Sequence, residues 1–200
     1  MITTKVKDPD LVRKKQHQIF RGAMKVCRVK GFHNATIREI AKASGMSLGN
    51  IYDYIEKKED ILFLIHKEVL DQIYARMEKI IEKHEDSKDQ FNIMFKELFS
   101  LTMTLKEEML FIYTETKSLP KEYLHEVLKK ESDFVNRYAK VIENSVRRGA
   151  FQCEKPELFA NIVTFMSAIL PLRGWNILQR NTPDEVCKVL LDMASNYLNQ

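Results

Sequence analysis

The chain is poor in residues that break regular structure: 200 residues contain only 6 Gly and 5 Pro. That scarcity of turn-formers excludes a many-turned β architecture and a disordered chain, and leaves a soluble, mostly helical protein. Cysteine is equally sparse. Cys27, Cys153 and Cys187 are odd in number, far apart and without CxxC spacing, so reduced thiols in a cytosolic protein are expected rather than a disulfide framework. His17, His33, His66, His84 and His125 show no HExxH or other metal-ligand spacing, and neither a Gly-rich phosphate loop nor a nucleophile elbow occurs. No catalytic residue, metal or resident cofactor is therefore expected, and an enzyme is the disfavoured class. The longest apolar stretch, Ile162 to Leu172, is interrupted by Thr164 and Ser167 and is too short to span a bilayer. No basic start followed by an apolar run opens the chain, so no secretory leader is expected, and the expected compartment is the cytoplasm with no membrane partner.

What is present is chain enough for a real core, 44% hydrophobic and 30% charged. Its net charge of +4 is unevenly placed. Residues 1–60 hold 13 Lys+Arg against 7 Asp+Glu, whereas the remainder holds 19 against 21. A basic head on a near-neutral body reads as a nucleic-acid contact surface attached to something else.

After a polar arm, Asp8-Pro9 is an N-cap followed by Pro at the first helical position, and the first helix is expected to run to Lys30 and stop at Gly31. The second stretch, Thr36 to Ile55, has two short helices around a tight turn. Thr36 with Glu39 forms a capping box, and Ile37, Ile40, Ala41 and Ala43 keep helical spacing before Gly45 ends the run. Ser47 then caps a second helix, Leu48 to Ile55, with Ile51 and Ile55 turned toward the first. The arrangement is a helix-turn-helix. Its second helix offers Asn50, Tyr52 and Tyr54 outward with Lys57 and Lys58 beyond, a surface suited to a DNA groove.

Six further helices follow: Lys58 to His84, a helix opened by the Ser87/Gln90 capping signature and ending near Leu105, Lys106 to Lys117, Pro120 to Arg148, one opened by Lys155-Pro156, and a last one capped at Thr182. The fifth of these is expected to kink or end at Pro171 and Gly174. The predicted fold is thus all-α with nine helices, a three-helix head and a six-helix body.

This layout resembles the tetracycline-repressor (TetR) family of bacterial transcription regulators. The likeness lies in residues 13–62 and is carried by Gly31-Phe32, Thr36, Ile40-Ala41, Gly45, Ser47, Gly49, Ile51-Tyr52, Tyr54-Ile55, Lys58-Glu59 and Leu62. It implies a homodimer on a palindromic double-stranded operator, with residues 1–57 as the DNA-binding domain and residues 58–200 as the ligand-binding and dimerisation domain. Repression released by a small effector is the family habit. Carried over position by position, Thr36, Ser47, Tyr52, Tyr54 and Lys58 would touch phosphates, while Arg38, Leu48, Gly49 and Asn50 would face base edges. The chemistry agrees, since Arg pairs twice with guanine, Asn with adenine, and Leu meets a thymine methyl. Departures from the pattern are Ile55 in place of the usual Phe, the acid Asp53 within the reading helix, and Lys57 where a capping residue is common.

In the body, Phe91, Phe95, Phe99 and Met103 recur every four residues and, with Phe111, Tyr113, Tyr123, Phe134, Tyr138 and Trp175, are the expected lining of an effector pocket. Residues 106–175 resemble the subset of these regulators that answers to acyl-CoA thioesters, through Lys117-Ser118-Leu119-Pro120, Gly149-Ala150-Phe151 and Arg173-Gly174-Trp175. An acyl-CoA needs an apolar tunnel and a basic mouth, for which Arg147, Arg148, Arg173 and Arg180 are at hand. The last long helices carry more apolar residues than one core needs. Phe159, Ile162, Val163, Met166, Ile169, Val189 and Met193 are the expected dimer interface, as a four-helix arrangement with symmetry mates.

Overall fold

A computed structural model describes residues 2–84 and 89–198. Among these residues it contains ten α-helices, one 3-10 turn and no strand. The helices are α1 (Pro9–Asn34), α2 (Ile37–Ala43), α3 (Leu48–Ile51), α4 (Lys58–Lys83), α5 (Gln90–Thr104), α6 (Lys106–Glu115), α7 (Lys121–Arg147), α8 (Pro156–Met166), α9 (Ile169–Ile177) and α10 (Pro183–Leu198), with the 3-10 turn at Thr116–Ser118.

The one element beyond the expected nine comes from a break at Ser167–Ala168, earlier than the expected kink at Pro171 or Gly174. Pro171 has no N–H, so the carbonyl four residues before it, that of Ser167, loses its helical partner. The Thr102 hydroxyl of α5 lies 2.6 Å from that carbonyl and supplies the missing bond. The proline's consequence therefore appears one turn upstream of the proline itself. The Ser87 capping signature falls outside the described residues.

Local signals account for the helix ends. Asp8 accepts from the N–H groups of Asp10 and Leu11 at 3.0 and 3.2 Å, and Pro9 follows it at the first position of α1. Gly31, at φ 73°, ends the regular part of α1, and one more turn carries the chain to Asn34. Thr182 and Glu185 form a reciprocal capping pair at the start of α10.

The chain packs as two compact units. The first holds the described residues up to Leu70 together with Phe111–Leu128. Its core is built from the buried stripe of α1 (Ile19, Phe20, Ala23, Met24, Cys27), from Ile40 and Ile51 of the short helices, and from Ile61, Leu62, Leu64 and Ile65 of α4. Each fully buried aliphatic side chain of this kind stabilises by roughly 1.5–3 kcal/mol. Burial pushes the Cys27 thiol up to about 11, so it is held as an inert thiol in that core.

The second unit holds Asp71–Leu110 and the described residues from Lys129 onward. There α5 buries Phe91, Met94, Phe95, Leu98 and Phe99, and packs with α8, α9 and α10. On the α4–α7 side, Arg137 donates from two nitrogens to Glu78, Lys130 pairs with Asp71, and Tyr74 meets Phe134 edge-on at 5.5 Å. No single helix among the described residues is long and apolar enough to cross a membrane.

Candidate nucleic-acid interface

The head is assembled by one close crossing. Gly22 of α1 faces the end of α2, where an added Cβ would sit 2.0 Å from Ser44 Oγ and 2.7 Å from the Ser44 backbone nitrogen. Only glycine permits that approach. Gln18, one turn earlier, donates to the Ser44 carbonyl and fixes the same junction.

Helix α2 begins as the sequence requires. Thr36 Oγ1 accepts from the Glu39 N–H at 3.2 Å, and Glu39 Oε2 accepts from the Thr36 N–H at 3.0 Å. The ammonium of Lys30 beside it, with the Thr36 groups, holds the Glu39 carboxyl down at about 2. The turn then passes through Gly45 at φ 65°, and Ser47 Oγ accepts from the Asn50 N–H at 3.1 Å. Helix α3 is shorter than the expected Leu48 to Ile55. After Ile51 the bonds tighten to the i→i+3 kind, Asp53 N–H to the Asn50 carbonyl at 3.2 Å and Tyr54 N–H to the Ile51 carbonyl at 3.0 Å.

That tightening decides which side chains reach outward. Arg38, Ser47, Leu48, Gly49 and Tyr52 are exposed, as is Thr36, and Asn50 is half-buried. Tyr54 is not outward: it is 3% exposed and joins Ile51 and Ile55 in the core. It lies three residues after Ile51 and so returns to the same buried side, which corrects the expectation that Tyr54 points to a partner. Arg38 has no ion-pair partner among the described residues, because Glu39 is taken by Lys30 and Asp60 by Tyr123. The Thr36 hydroxyl donates to Glu39 at 2.9 Å. Lys58 Nζ donates to the His33 carbonyl at 2.8 Å and stands 4.6 Å over the Phe32 ring, which leaves its other protons for an outside acceptor. A Cβ at Gly49 would meet nothing within 4 Å, so packing inside the chain does not call for glycine there.

Two features were not legible beforehand. The polar arm is tied down: Ile2 is buried, and the Lys5 N–H donates to the Asp53 carbonyl at 2.9 Å. Lys5 Nζ also lies 3.8 Å from the Asp53 carboxylate, so the acid in the reading segment faces the chain's own arm. The start of α4 is capped after all, from the other end of the box. Asp60 Oδ2 accepts from the N–H groups of Glu56 and Lys57 at 2.7 and 3.1 Å, which makes good the missing cap at Lys57. The signal was Asp60 itself, an acid at the third position of a helix.

The expected effector residues are dispersed. Phe91, Phe95 and Phe99 are buried and adjacent, and Phe91 also meets Phe151 and Phe159 at 6.0 and 5.6 Å. Phe99 and Met103 edge a groove of about 690 Å³ between α5 and α10 that also carries Lys96 and Lys188. Phe134 and Tyr138 form a separate cluster with Tyr74. Phe111, Tyr113 and Tyr123 belong to the first unit, where Tyr113 is exposed and Tyr123 stacks on Phe63 at 4.4 Å. Trp175 is 72% exposed, a surface residue and not a pocket wall, because Leu170 is the one buried position of the short α9. Of the supposed basic mouth, Arg148 donates to Gln90 at 2.9 Å and Arg147 to Asn144 at 2.6 Å, while Arg173 and Arg180 are exposed.

The supposed dimer stripe also divides. Phe159 and Val163 are buried within the chain, at the helical spacing that faces α5 and α10, and so are core. Ile162, Val189 and Met193 are exposed, Met166 and Ile169 are half-buried, and Leu158, Phe165 and Tyr197 extend the same apolar face. Shallow grooves of about 230 and 550 Å³ run along it, one against Ile162 and Tyr197, the other against Ile169 and Val189.

Residues 19–65 match the family model described as "Bacterial regulatory proteins, tetR family", and residues 84–198 match "Tetracyclin repressor-like, C-terminal domain". The chain belongs to the TetR family. It is accordingly a DNA-binding transcriptional regulator. The HTH-type transcriptional regulator HbdR of Aromatoleum sp. (strain CIB) is 31% identical over 180 residues, covering 88% of this chain and 76% of that protein. The fatty acid metabolism regulator protein of Bacillus subtilis (strain 168) is 36% identical over 89 residues, 44% of this chain and 46% of that protein. Among solved structures, AibR in complex with isovaleryl coenzyme A and operator DNA shares the fold at a TM-score of 0.70, 17% identity, over 92% of this chain and 98% of that one. These relatives are regulators, and the TetR-family reading holds for both the head and the body of the chain.

Proposed function

We propose that this TetR-family chain is a repressor that binds a palindromic operator as a homodimer and is released by an acyl-CoA. The observation that carries the DNA-reading part is the exposed set Arg38, Ser47, Leu48, Gly49 and Tyr52 on a head built around the close Gly22–Ser44 crossing. Arg38 and Asn50 read base edges, Leu48 meets a thymine methyl, and Gly49 lets the backbone close on the groove. Ser47, Tyr52 and Lys58 hold phosphates, with Thr36 beside them. Residues 1–57 do the DNA binding, and residues 58–200 hold the effector and the second copy.

The dimer reading is supported by the uncovered apolar face of α8 and α10, where Phe165 is 58% and Met193 57% exposed. A face of this kind on a lone chain marks an interaction surface. The acyl-CoA reading is supported by the aromatic interior of the second unit, by the B. subtilis relative's name and by the ligand in the AibR structure. The chain works where its operator is, in the cytoplasm.

Binding to a fluorescent duplex carrying the palindrome of the protein's own promoter, at graded salt, tests the reading. A specific, salt-steep curve reversed by a medium- or long-chain acyl-CoA is expected. A helical ligand carrier without DNA function would give no specific curve. Met193→Glu is expected to yield monomers in sedimentation and to lose the palindrome, and a dimer that persists would rule out the α8–α10 face.

A further inference from the structure

Asp53 places a negative charge directly after Tyr52, the residue that holds a phosphate in the DNA reading proposed above. Adjacent Cα atoms are about 3.8 Å apart, well inside the ~8 Å over which charges act on one another at physiological salt. An uncompensated carboxylate there repels the backbone that its neighbour binds. Its side chain is 39% exposed, so the charge is not hidden within the fold.

What lies against it is the arm that precedes α1. The arm is laid on the head by two independent contacts, the buried side chain of Ile2 and the 2.9 Å bond from the Lys5 N–H to the Asp53 carbonyl. Burial alternates along it: Ile2 is buried and Thr4 and Val6 are half-buried, whereas Thr3, Lys5 and Lys7 are exposed. The basic side chains therefore stand on the solvent side. Lys5 Nζ lies 3.8 Å from the Asp53 carboxylate, with 74% of the lysine side chain exposed. That separation is too long for a hydrogen bond, so the ammonium offsets the carboxylate through space. An exposed pair of this kind adds little to stability, and its consequence is the charge that DNA meets.

We infer that the N-terminal arm is part of the DNA-binding surface, where Lys5 cancels the repulsion between Asp53 and the phosphates beside Tyr52. The inference rests on the DNA-facing assignment of Tyr52 proposed above, and adds to it a role for the arm and for the acid.

The test is a double-mutant cycle on Lys5→Ala and Asp53→Asn, neither of which removes the backbone bond that holds the arm. Wild type, both single variants and the double variant are titrated into the fluorescent promoter duplex at graded salt, with a melting curve for each. Lys5→Ala is expected to weaken binding about fivefold at ~0.1 M salt, and by less than about twofold where Asp53 is already Asn. The gap between wild type and Lys5→Ala narrows as salt rises, and all four proteins melt together. A Lys5→Ala variant that binds as wild type does, or whose loss is the same in both backgrounds, overturns the inference while leaving Tyr52 on the DNA side. A Lys5→Ala variant that melts several degrees lower also overturns it, because Lys5 then serves the fold. Wild type without a specific, salt-dependent curve overturns the DNA-facing reading, and the inference with it.

Discussion

The Tyr123 hydroxyl donates a 2.6 Å hydrogen bond to Oδ1 of Asp60, a carboxylate whose other oxygen holds two backbone N–H groups at the entrance to α4. Asp60 is buried, and three donors converge on it. The same contact raises the Tyr123 phenol far above its ordinary range, mainly through burial and then through the bond to Asp60. Tyr123→Phe removes one charge-assisted bond and is expected to cost about 1.5–3 kcal/mol. Asp60→Ala strands all three donors and is expected to cost more, about 3–5 kcal/mol. Urea titration of both variants checks the order, and a Tyr123→Phe loss equal to that of Asp60→Ala would show that the capping bonds contribute nothing.

Gly22 sets up a contest between propensity and packing. Alanine in the middle of a helix gains about 1 kcal/mol over glycine. At Gly22 the added Cβ would meet backbone atoms of Ser44 at 2.7 and 2.9 Å, which cannot swing aside as a side-chain tip can. Overpacking of that kind typically costs about 1–3 kcal/mol, and α2 must move away from α1 to relieve it. Gly22→Ala is therefore expected to lower the melting temperature and to weaken operator binding together. Gly49→Ala, which meets nothing in the chain, is expected to leave the melting temperature unchanged.

The elements most readable beforehand were those governed by short-range rules. The Thr36/Glu39 box, the Asp8-Pro9 start and the turn at Gly45 all stand where local bonding and a positive φ demand them. What escaped was set by tertiary partners. Tyr54 turned inward because α3 tightened after one turn, and Asp53 found its counterpart in Lys5, forty-eight residues earlier. The aromatic set of the body was legible as apolar but not as two clusters, because helical periodicity says which face is buried and not which neighbour it meets. Trp175 was misread for the same reason, since a single aromatic on a short helix has no period to place it.

His66 gives the first unit a defined acid sensitivity. Its ring is fully buried, with Nδ1 2.9 Å from the Leu62 carbonyl and Nε2 3.2 Å from the Thr116 hydroxyl. The neutral tautomer with its proton on Nδ1 is the assignment that satisfies Leu62. Burial holds the ring below the ordinary imidazole range, against smaller opposing effects of Leu62, Ile112 and Glu115. In the unfolded chain the ring takes up a proton as pH falls through about 6.5, while the folded ring stays neutral. The unfolded state then binds more protons, so stability drops as pH falls below that point. The depressed carboxyls of Glu39 and Glu185 titrate at lower pH, whereas burial raises the Glu131 carboxyl, which opposes the His66 effect as pH falls and does so equally in wild type and in a His66 variant. The urea midpoint is expected to decline from pH 7.5 to 5.5 in wild type, and to decline less in His66→Gln. Parallel slopes for the two proteins would show that His66 is not the group responsible.

Arg38 and Lys58 separate reading from holding. Arg38 is exposed and has no ion-pair partner among the described residues, so Arg38→Ala is expected to leave the fold untouched. On an operator series it should relax the preference at one base pair by about 1–3 kcal/mol. Lys58 has two employments. Its ammonium already holds the His33 carbonyl and covers the Phe32 ring, so Lys58→Ala is expected to lower the melting temperature modestly as well. On DNA it should weaken all sequences alike and reduce the salt slope by about one. Binding to single-base variants of the operator at several salt concentrations, with melting curves for each protein, distinguishes the two roles. An Arg38→Ala loss spread evenly over every sequence would make Arg38 a phosphate contact, and a Lys58→Ala loss confined to one base pair would make Lys58 a reader.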